Sequence, residues 1–142
     1  MADNILVTDD TVSFDKMFQM AEVEIPLVKI KGNGKMTIGG KAVCLDGDEK
    51  EVKAENCPYK ANGGTITGGF GTVEILMITP QHKAKKTTDS GKPVLLKGST
   101  FYAKFTVKSP GLDATKQNAP DPMTLYIGTG KFEAANQKHT GT

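Results

Sequence analysis

Three side chains have the types that can bind a metal ion or form a cross-link. Cys44 lies in the apolar run "AVCL", Cys57 precedes a proline, and His82 follows in "TPQHKA". Soft thiolates together with an imidazole suit zinc or iron. The residues leave three interpretations open: two unconnected core cysteines, a disulfide that closes the short loop between them, or a metal site that takes His82 as its third ligand.

A metal site of this kind lacks a fourth ligand in any recognisable motif. His139, the other histidine, lies near the C-terminus and would reach the cysteines only if the C-terminal segment folded back. A disulfide would need an oxidising compartment, because thiols in the cytosol usually stay reduced. A zinc or iron site at Cys44, Cys57 and His82 is therefore one prediction, beside a disulfide and unconnected core thiols.

Arrangements that could support catalysis are incomplete in this chain. A nucleophile–histidine–acid triad would depend on His82, and no serine lies in the setting of a nucleophile elbow. Asp46 and Asp48 flank a glycine, as in an ordinary polar turn, and lack the remaining spacing of a calcium loop. The glycine-rich stretches "GNGKMTIGG" and "TGGFGT" do not open onto a helix that could bind phosphate. We therefore predict that the protein is not an enzyme.

The elements that would hold these residues are predicted to be short β-strands. The chain has 142 residues, of which 37% are hydrophobic and 16 are glycines, a balance typical of one small domain with many turns. Alternation is clearest in "FYAKFTVK", where Phe101, Ala103 and Phe105 would share one face. We predict an all-β single domain of short antiparallel hairpins, built as a cone, prism or sandwich. The spacing allows at most one short N-terminal helix, in "FDKMFQMAEV".

Glycines predict where the strands turn. Gly39-Gly40 predicts a two-residue hairpin, Lys97-Gly98 a second hairpin, and the stretch from Gly128 to Gly130 a third turn. The apolar stretch 72–78 predicts a central core strand, with a docking surface as the alternative.

The two ends of the chain have weaker patterns. Residues 1–21 carry short apolar bursts around an Asp-Asp pair, which favours an N-terminal arm. Residues 109–142 begin with a proline-rich stretch without periodicity and end in another alternating run, so they are predicted to form a loop and a terminal hairpin. Both ends are assigned to the same domain.

Charge and hydropathy exclude several functions. The formal net charge is +2 and all 18 basic residues are lysines, whereas proteins that read nucleic-acid sequence favour the arginine fork. No apolar stretch is long enough to span a bilayer. The acidic start "MADNILVTDD" lacks the pattern of a signal peptide. We therefore expect a protein that is made in the cytoplasm and does not bind specific nucleic acids.

Residues 28–108 resemble the PAAR-like proteins, which form the sharpened spike tips of contractile injection systems. The resemblance rests on "KIKGNGKMTIGGKAVCLDGDE" and "SGKPVLLKGSTF", with their short Gly-Lys hairpins, and on the near-absence of helix. Such systems include type VI secretion, extracellular injection particles and phage tails. The Pro-Ala-Ala-Arg signature is absent because the chain contains no arginine, and residues 109–142 have no counterpart.

The resemblance implies a structural role without turnover. Family members are small β-rich cones that cap a trimeric spike, and many bind a metal near the apex through histidine and cysteine. Carried over to this sequence, metal binding would fall to Cys44, Cys57 and His82. The implied partners are a trimeric spike protein or other tail subunits, with an effector as cargo. The protein would be assembled into a particle and delivered outside the cell.

Other functions fit some of the same features. Another small β-rich tail or tube protein of these machines would also lack a signal peptide, and a tube protein would form rings on its own. A module that binds a small ligand or carbohydrate would use the glycine-rich loops around residues 63–71, but aromatic residues make up only 6% of the chain and tryptophan is absent. A metalloenzyme at the two cysteines and His82 lacks an acid–base partner and ranks last.

Overall fold

The computed structural model describes residues 3–134 and 140–141 of the chain. Within these ranges, short β-strands are joined by turns and short 3-10 helices, and there is no α-helix, so the all-β prediction is confirmed. None of the helices described there is long and apolar enough to cross a membrane. The strands are β1 (Asp3–Asn4), β2 (Thr11–Phe14), β3 (Met17–Phe18), β4 (Ala21–Val23), β5 (Val28–Lys29), β6 (Thr37–Ile38), β7 (Lys41–Ala42), β8 (Lys53–Ala61), β9 (Ile66–Met77), β10 (Lys83–Asp89), β11 (Lys92–Leu95), β12 (Phe101–Ser109), β13 (Leu112–Asp113), β14 (Ala119–Pro120), β15 (Leu125–Glu133) and β16 (Thr140–Gly141). The 3-10 helices span Asp48–Glu51, Asn62–Gly64, Pro80–His82 and Ala114–Lys116.

One large antiparallel sheet contains most of the strands. Its order is β3-β4-β8-β9-β12-β15-β2-β5, and the short pair β13–β14 extends it beside β9. The sheet curls until β3 lies beside β15, where the Asp15 N–H donates to the Thr129 carbonyl at 2.8 Å and the Ile127 N–H donates to the Gln19 side chain at 3.1 Å. The curl encloses the main hydrophobic core. Its largest side chains include Phe18, Phe101, Phe105, Tyr126 and Phe132.

The strongest sequence signals fall on the centre of this sheet. Phe101, Ala103 and Phe105 on β12 are fully buried, as their alternation predicts. The apolar stretch 72–78 lies largely on β9, between β8 and β12, and its Val73 is fully buried. The interpretation of this stretch as a central core strand is therefore confirmed.

The turn predicted from Gly128 to Gly130 is wrong, because β15 continues through both positions. A Cβ atom at Gly130 would lie 2.8 Å from the Phe101 ring, and one at Gly128 would lie 2.6 Å from the Phe18 ring. Any side chain at these inward positions would overlap the core. The glycines therefore make room for two aromatic rings and do not mark a turn.

The N-terminal helix that the spacing allowed does not form. The stretch folds instead as the β3–β4 hairpin, with Phe18 opposite Ala21. Gln19, at the turn, has a φ of 58°, which an α-helix cannot accommodate. Phe18 and Ala21 are fully buried whereas Met17 and Met20 are exposed, so the helix-like spacing arises from a two-residue turn between paired strands.

Both ends of the chain, as far as they are described, pair with its centre. Residues 3–14, part of the stretch predicted as an arm, supply β1 and β2, and β2 lies between β15 and β5 in the large sheet. In the stretch 109–142, β13 and β14 pair with each other, and β15 pairs with both β12 and β2.

Three two-stranded sheets lie outside the large one: β1–β16, β6–β7 and β10–β11. The β6–β7 hairpin turns at Gly39-Gly40 as predicted, with φ angles of 61° and 82°. The hairpin predicted at Lys97-Gly98 is wrong, because β11 pairs with β10 whereas β12 belongs to the large sheet. Gly98 carries the chain from one sheet to the other, and its N–H donates to the Asp3 carboxylate at 2.7 Å.

Candidate docking site: a ring of three segments

Three short segments meet around one axis, each centred on one residue: Leu6, Cys44 or Leu95. The Leu6 N–H donates to the Leu95 carbonyl at 2.9 Å. The Leu95 N–H donates to the Cys44 carbonyl at 2.8 Å, and the Cys44 N–H donates to the Leu6 carbonyl at 2.9 Å. The three hydrogen bonds form a closed cycle, in which each segment has the same relation to the next. We call this arrangement the three-segment ring.

The residues that flank the three centres pair by a single rule. In every case, the residue after one centre forms an antiparallel bridge with the residue before the next centre. Because the rule holds at all three corners, the ring has an approximate threefold axis within one chain. The bridges are Val7–Val43, Leu45–Val94 and Leu96–Ile5.

The turns that leave the ring repeat the same backbone geometry. Three residues after each centre the backbone has a positive φ, which is 73° at Asp9, 107° at Gly47 and 58° at Gly98. Glycine adopts this conformation without a steric cost, and aspartate adopts it more readily than most residues. The threefold relation therefore extends beyond the ring into the following turns.

Buried groups hold these turns against the ring. Asp10 and Asp48 each accept the backbone N–H of the residue three positions earlier, at 2.9 Å and 2.7 Å. In the third turn the equivalent N–H, that of Leu96, donates to the His82 carbonyl at 2.8 Å. The backbone is thus repeated three times while the groups that secure it differ.

The strand that leads into each centre belongs to a two-stranded sheet: β1 of the pair β1–β16, β7 of the pair β6–β7, or β11, which ends at Leu95, of the pair β10–β11. Asp3, Lys41 and Lys92 lie three residues before the centres, and each is paired across its own two-stranded sheet. Two of the sheets share a sequence pattern, "KMTIGGK" and "KTTDSGK", that contains a two-residue turn. The third sheet joins the first and last described strands. Together the three strand pairs form what we call the threefold end.

The ring separates two hydrophobic clusters. The side chains of Leu6, Cys44 and Leu95 belong to the main core inside the curled sheet. Their neighbours face the opposite way, because side chains alternate along an extended backbone, and they form a second cluster on the side of the threefold end. The ring is therefore packed on both sides. The buried members of the second cluster are Ile5, Val7, Val43, Leu45, Ala84, Val94 and Leu96.

Both cysteines are free, buried thiols, and the predicted alternative of a disulfide does not form in this structure. Burial, together with the carboxylates of Asp48 and Asp10, raises the pKa of the Cys44 thiol far above its usual range. Cys57 lies on β8, where its thiol donates to the Ala54 carbonyl at 3.4 Å, and burial raises its pKa as well. Both side chains are therefore neutral at physiological pH.

His82 is fully buried beside the third turn of the ring. Its Nδ1 accepts the Thr79 N–H at 3.0 Å, so Nε2 carries the proton and donates to the Ser99 carbonyl at 2.8 Å. The imidazole also packs against the rings of Phe101 and Phe132, with centroid distances of 6.2 Å and 5.6 Å. Nε2 thus fixes the turn between the ring and β12, and Nδ1 fixes the connection between β9 and β10.

The side chains predicted to bind a metal therefore have other partners. In the part of the chain that the structure describes, no group of three or more His, Cys, Asp or Glu side chains is arranged to hold a metal ion. Zinc or iron would need thiolates and an available imidazole nitrogen, and the surroundings of Cys44, Cys57 and His82 favour neither. His139, considered as a fourth ligand, lies outside the described residues. The metal site stays a prediction.

The whole chain matches one known family. A model of the contractile injection system spike tip protein family covers residues 1–142. The chain belongs to this family. The predicted resemblance is thereby confirmed, and the spike tip is a structural component of a contractile injection system. None of the curated proteins compared with the chain matches it.

The threefold arrangement of the spike tip is only partly visible in its sequence. The stretches "GKAVCL" and "GKPVLLKG" are alike, but the third member of the set, "NILVTDD", has no Gly-Lys before its apolar residues. The signal shared by all three is an apolar triplet followed two positions later by Asp9, Gly47 or Gly98, residues that tolerate a positive φ. That pattern is too short to be distinguished from chance without the hydrogen bonds.

A buried carboxylate closes the curled sheet of the spike tip at the end away from the ring. Asp121 Oδ2 accepts the hydroxyls of Tyr59 and Tyr126, both at 2.7 Å, and Oδ1 accepts the Met123 N–H at 2.9 Å. The Tyr59 oxygen in turn accepts the Gly111 N–H at 3.0 Å. Burial raises the pKa of Tyr59 to about 12, so this phenol remains a neutral donor. This Asp121 network ties the loop before β15 to the core.

Proposed function

We propose that the spike tip caps a trimeric spike, docks on it through the threefold end, and catalyses no reaction. The observation that carries this proposal is the closed cycle of hydrogen bonds in the three-segment ring. A trimeric spike ends in three identical surfaces, and one chain can meet all three in the same way only if it repeats one geometry three times. The ring and its three strand pairs supply that repetition.

The proposed role is mechanical. A force along the spike axis would pass from the strand pairs through the ring into the main core. Close-packed interiors have low compressibility, and the ring is packed on both sides, so this path resists shortening. The buried carboxylates of Asp10 and Asp48 keep two of the turns from opening. His82 and the two thiols are engaged within the fold, which supports a role without turnover.

The same proposal sets the order of assembly. The protein would be made in the cytoplasm, added to the spike of the particle, and carried out of the cell with it. An effector cargo would attach away from the threefold end, because the spike occupies that end.

The first test is the stoichiometry of the complex with the trimeric spike protein of the same particle. The two proteins are purified separately, mixed, and analysed by size-exclusion chromatography with light scattering. We expect one spike tip per three spike chains, since the whole threefold end is used at once. Rings of the isolated spike tip would instead support a tube protein, and binding of three copies per trimer would contradict the proposed geometry.

Two insertion variants identify the end that docks. A short Gly-Ser insertion between Gly39 and Gly40 would obstruct the threefold end, and the same insertion between Gly63 and Gly64 serves as the control. Both sites are open, with no heavy atom near the position of an added Cβ. We expect only the first variant to lose spike binding while both keep the wild-type melting temperature. Loss of binding in the control alone would show that the opposite end docks.

A further inference from the structure

Lysines occupy repeated places on the threefold end. Lys35 and Lys41 are the first and last residues of the pattern "KMTIGGK" at the pair β6–β7. Lys86 and Lys92 are the first and last residues of the matching pattern "KTTDSGK" at the pair β10–β11. All four side chains are exposed. No ion pair of Lys86 or Lys92 is found among the described residues, whereas Lys41 has a single long contact of 3.9 Å with the exposed carboxylate of Asp9.

The carboxylates at this end are mostly committed to the fold. Asp89 accepts the Met36 N–H at 2.8 Å and the Ser90 hydroxyl at 2.9 Å, which ties one strand pair to the next. Asp3 accepts the N–H groups of Gly98 and Asn4, at 2.7 Å and 2.8 Å. Backbone groups hold these two carboxylates in place, and Asp89 also interacts electrostatically with Lys35. Among the described residues of this end, four exposed lysines outnumber the exposed Asp9 and the half-buried Asp3, whereas Asp89 is buried, so the exposed charge is mainly positive.

Apolar groups lie among these lysines. Ile38 packs against the second hydrophobic cluster, and the Met36 side chain is 43% exposed. An apolar centre with a polar, charged rim is the usual anatomy of a protein–protein interface. The charge of the rim then sets the kind of partner, because like charges brought together in an interface cost several kcal/mol.

We propose that the spike surface that receives this end is acidic, with carboxylates on each spike subunit placed opposite the positions of Lys41 and Lys92. This inference rests on the docking proposed above. Two of the three spike subunits then face a lysine. The third faces Asp3, at the equivalent position, and makes the weakest of the three contacts. The attachment of the spike tip is therefore partly electrostatic, and it is unequal around the axis.

The test measures the affinity of the spike tip for the trimeric spike as a function of salt and charge. For the wild type we expect the Kd to rise steadily between about 0.05 and 0.5 M NaCl, because salt screens exposed charges. Reversal of both equivalent lysines, Lys41→Glu with Lys92→Glu, should raise the Kd by about tenfold or more at low salt. Reversal of Lys108 and Lys131, exposed lysines on the large sheet, is the matched control and should change the Kd by less than about twofold.

A variant that removes a negative charge from the threefold end should lower the Kd, whereas the charge reversals raise it. Asp3→Asn keeps an oxygen acceptor for Gly98 and removes the charge that would face the third spike subunit, so we expect tighter binding, by about twofold to fivefold. Circular dichroism and melting temperature establish that each variant is folded, and Lys41→Gln with Lys92→Gln replaces the double reversal if that variant unfolds.

The outcomes separate the two proposals. Tight binding that is insensitive to salt and unchanged by reversal of Lys41 and Lys92 would overturn the acidic partner and leave the docking intact. A double reversal that binds more tightly would show a basic partner. Absence of binding by the wild type at every salt concentration would overturn the docking itself, and the inference with it.

Discussion

Replacing Asp121 by alanine should be among the most destabilising single changes in the spike tip. The carboxylate is buried and accepts the hydroxyls of Tyr59 and Tyr126 through one oxygen. Without it both phenols remain buried without this acceptor, at a cost of about 2 kcal/mol each, or about 4 kcal/mol together. This is a large part of the 5–15 kcal/mol that typically stabilises a domain. At about 3 °C per kcal/mol for a chain of this length, the melting temperature should fall by about 12 °C.

The assay is thermal unfolding followed by circular dichroism, with a urea titration for the free energy of unfolding. Glu133→Ala, a change at an exposed carboxylate on the same part of the chain, is the control and should shift the melting temperature by less than about 2 °C. Adding Tyr126→Phe to Asp121→Ala removes one of the stranded hydroxyls, so the double variant should be destabilised by less than the sum of the two single changes. Strict additivity, or a melting temperature for Asp121→Ala equal to that of the control, would refute the reasoning.

Three further changes test other parts of the structure. Gly130→Ala forces a methyl group against a core ring and should cost about 1–3 kcal/mol of stability in urea unfolding, whereas an equal stability would mean that the strand can shift. The hydrogen bond from the Met36 N–H lowers the pKa of Asp89, so the stability that this carboxylate contributes is present above the ordinary aspartate pKa and is lost as the pH falls through the folded pKa. The difference in melting temperature between the wild type and Asp89→Asn should therefore decrease towards acidic pH, and a constant difference would contradict this. Cys44 and Cys57 should resist a thiol reagent at pH 8 in the folded protein, and both should react after unfolding in guanidinium. A metal content of about one equivalent of zinc or iron that is lost in His82→Ala would establish the metal site instead.

The sequence predicts most reliably the elements whose signal is local. The alternation of Phe101, Ala103 and Phe105 and the paired glycines at residues 39–40 each specify a structure without reference to the rest of the chain. The sequence wrongly predicts a turn at Gly130, because a glycine needed for a turn and a glycine needed to make room for a distant ring are identical in the sequence. The hairpin predicted at Lys97-Gly98 is wrong for a related reason, since β11 pairs with the strand before it and not with the strand after it.

The candidate site depends on relations that no local pattern contains. The hydrogen bonds of the ring join Leu6, Cys44 and Leu95, residues that are 38 or more positions apart in the sequence. The residue type of Cys44 predicts metal binding or a disulfide, yet its place in the ring is defined by its backbone N–H and carbonyl. The imidazole of His82 likewise predicts a metal ligand, yet its two nitrogens accept from Thr79 and donate to Ser99. Backbone roles of this kind are independent of residue type and therefore leave little trace in a single sequence.

Because the ring lies within one chain, substitutions on the two sides of the proposed contact have different effects. In the proposed complex one gene would supply all three contact surfaces of the spike, so a substitution there would be tested against Asp3, Lys41 and Lys92 simultaneously. On the tip side each position is encoded separately, and a substitution alters one third of the contact. The tip is therefore the side on which small adjustments are tolerated, and the spike surface is the side constrained to accept three different neighbours. A single chain in place of a trimer would thus give the proposed attachment three independently adjustable contacts.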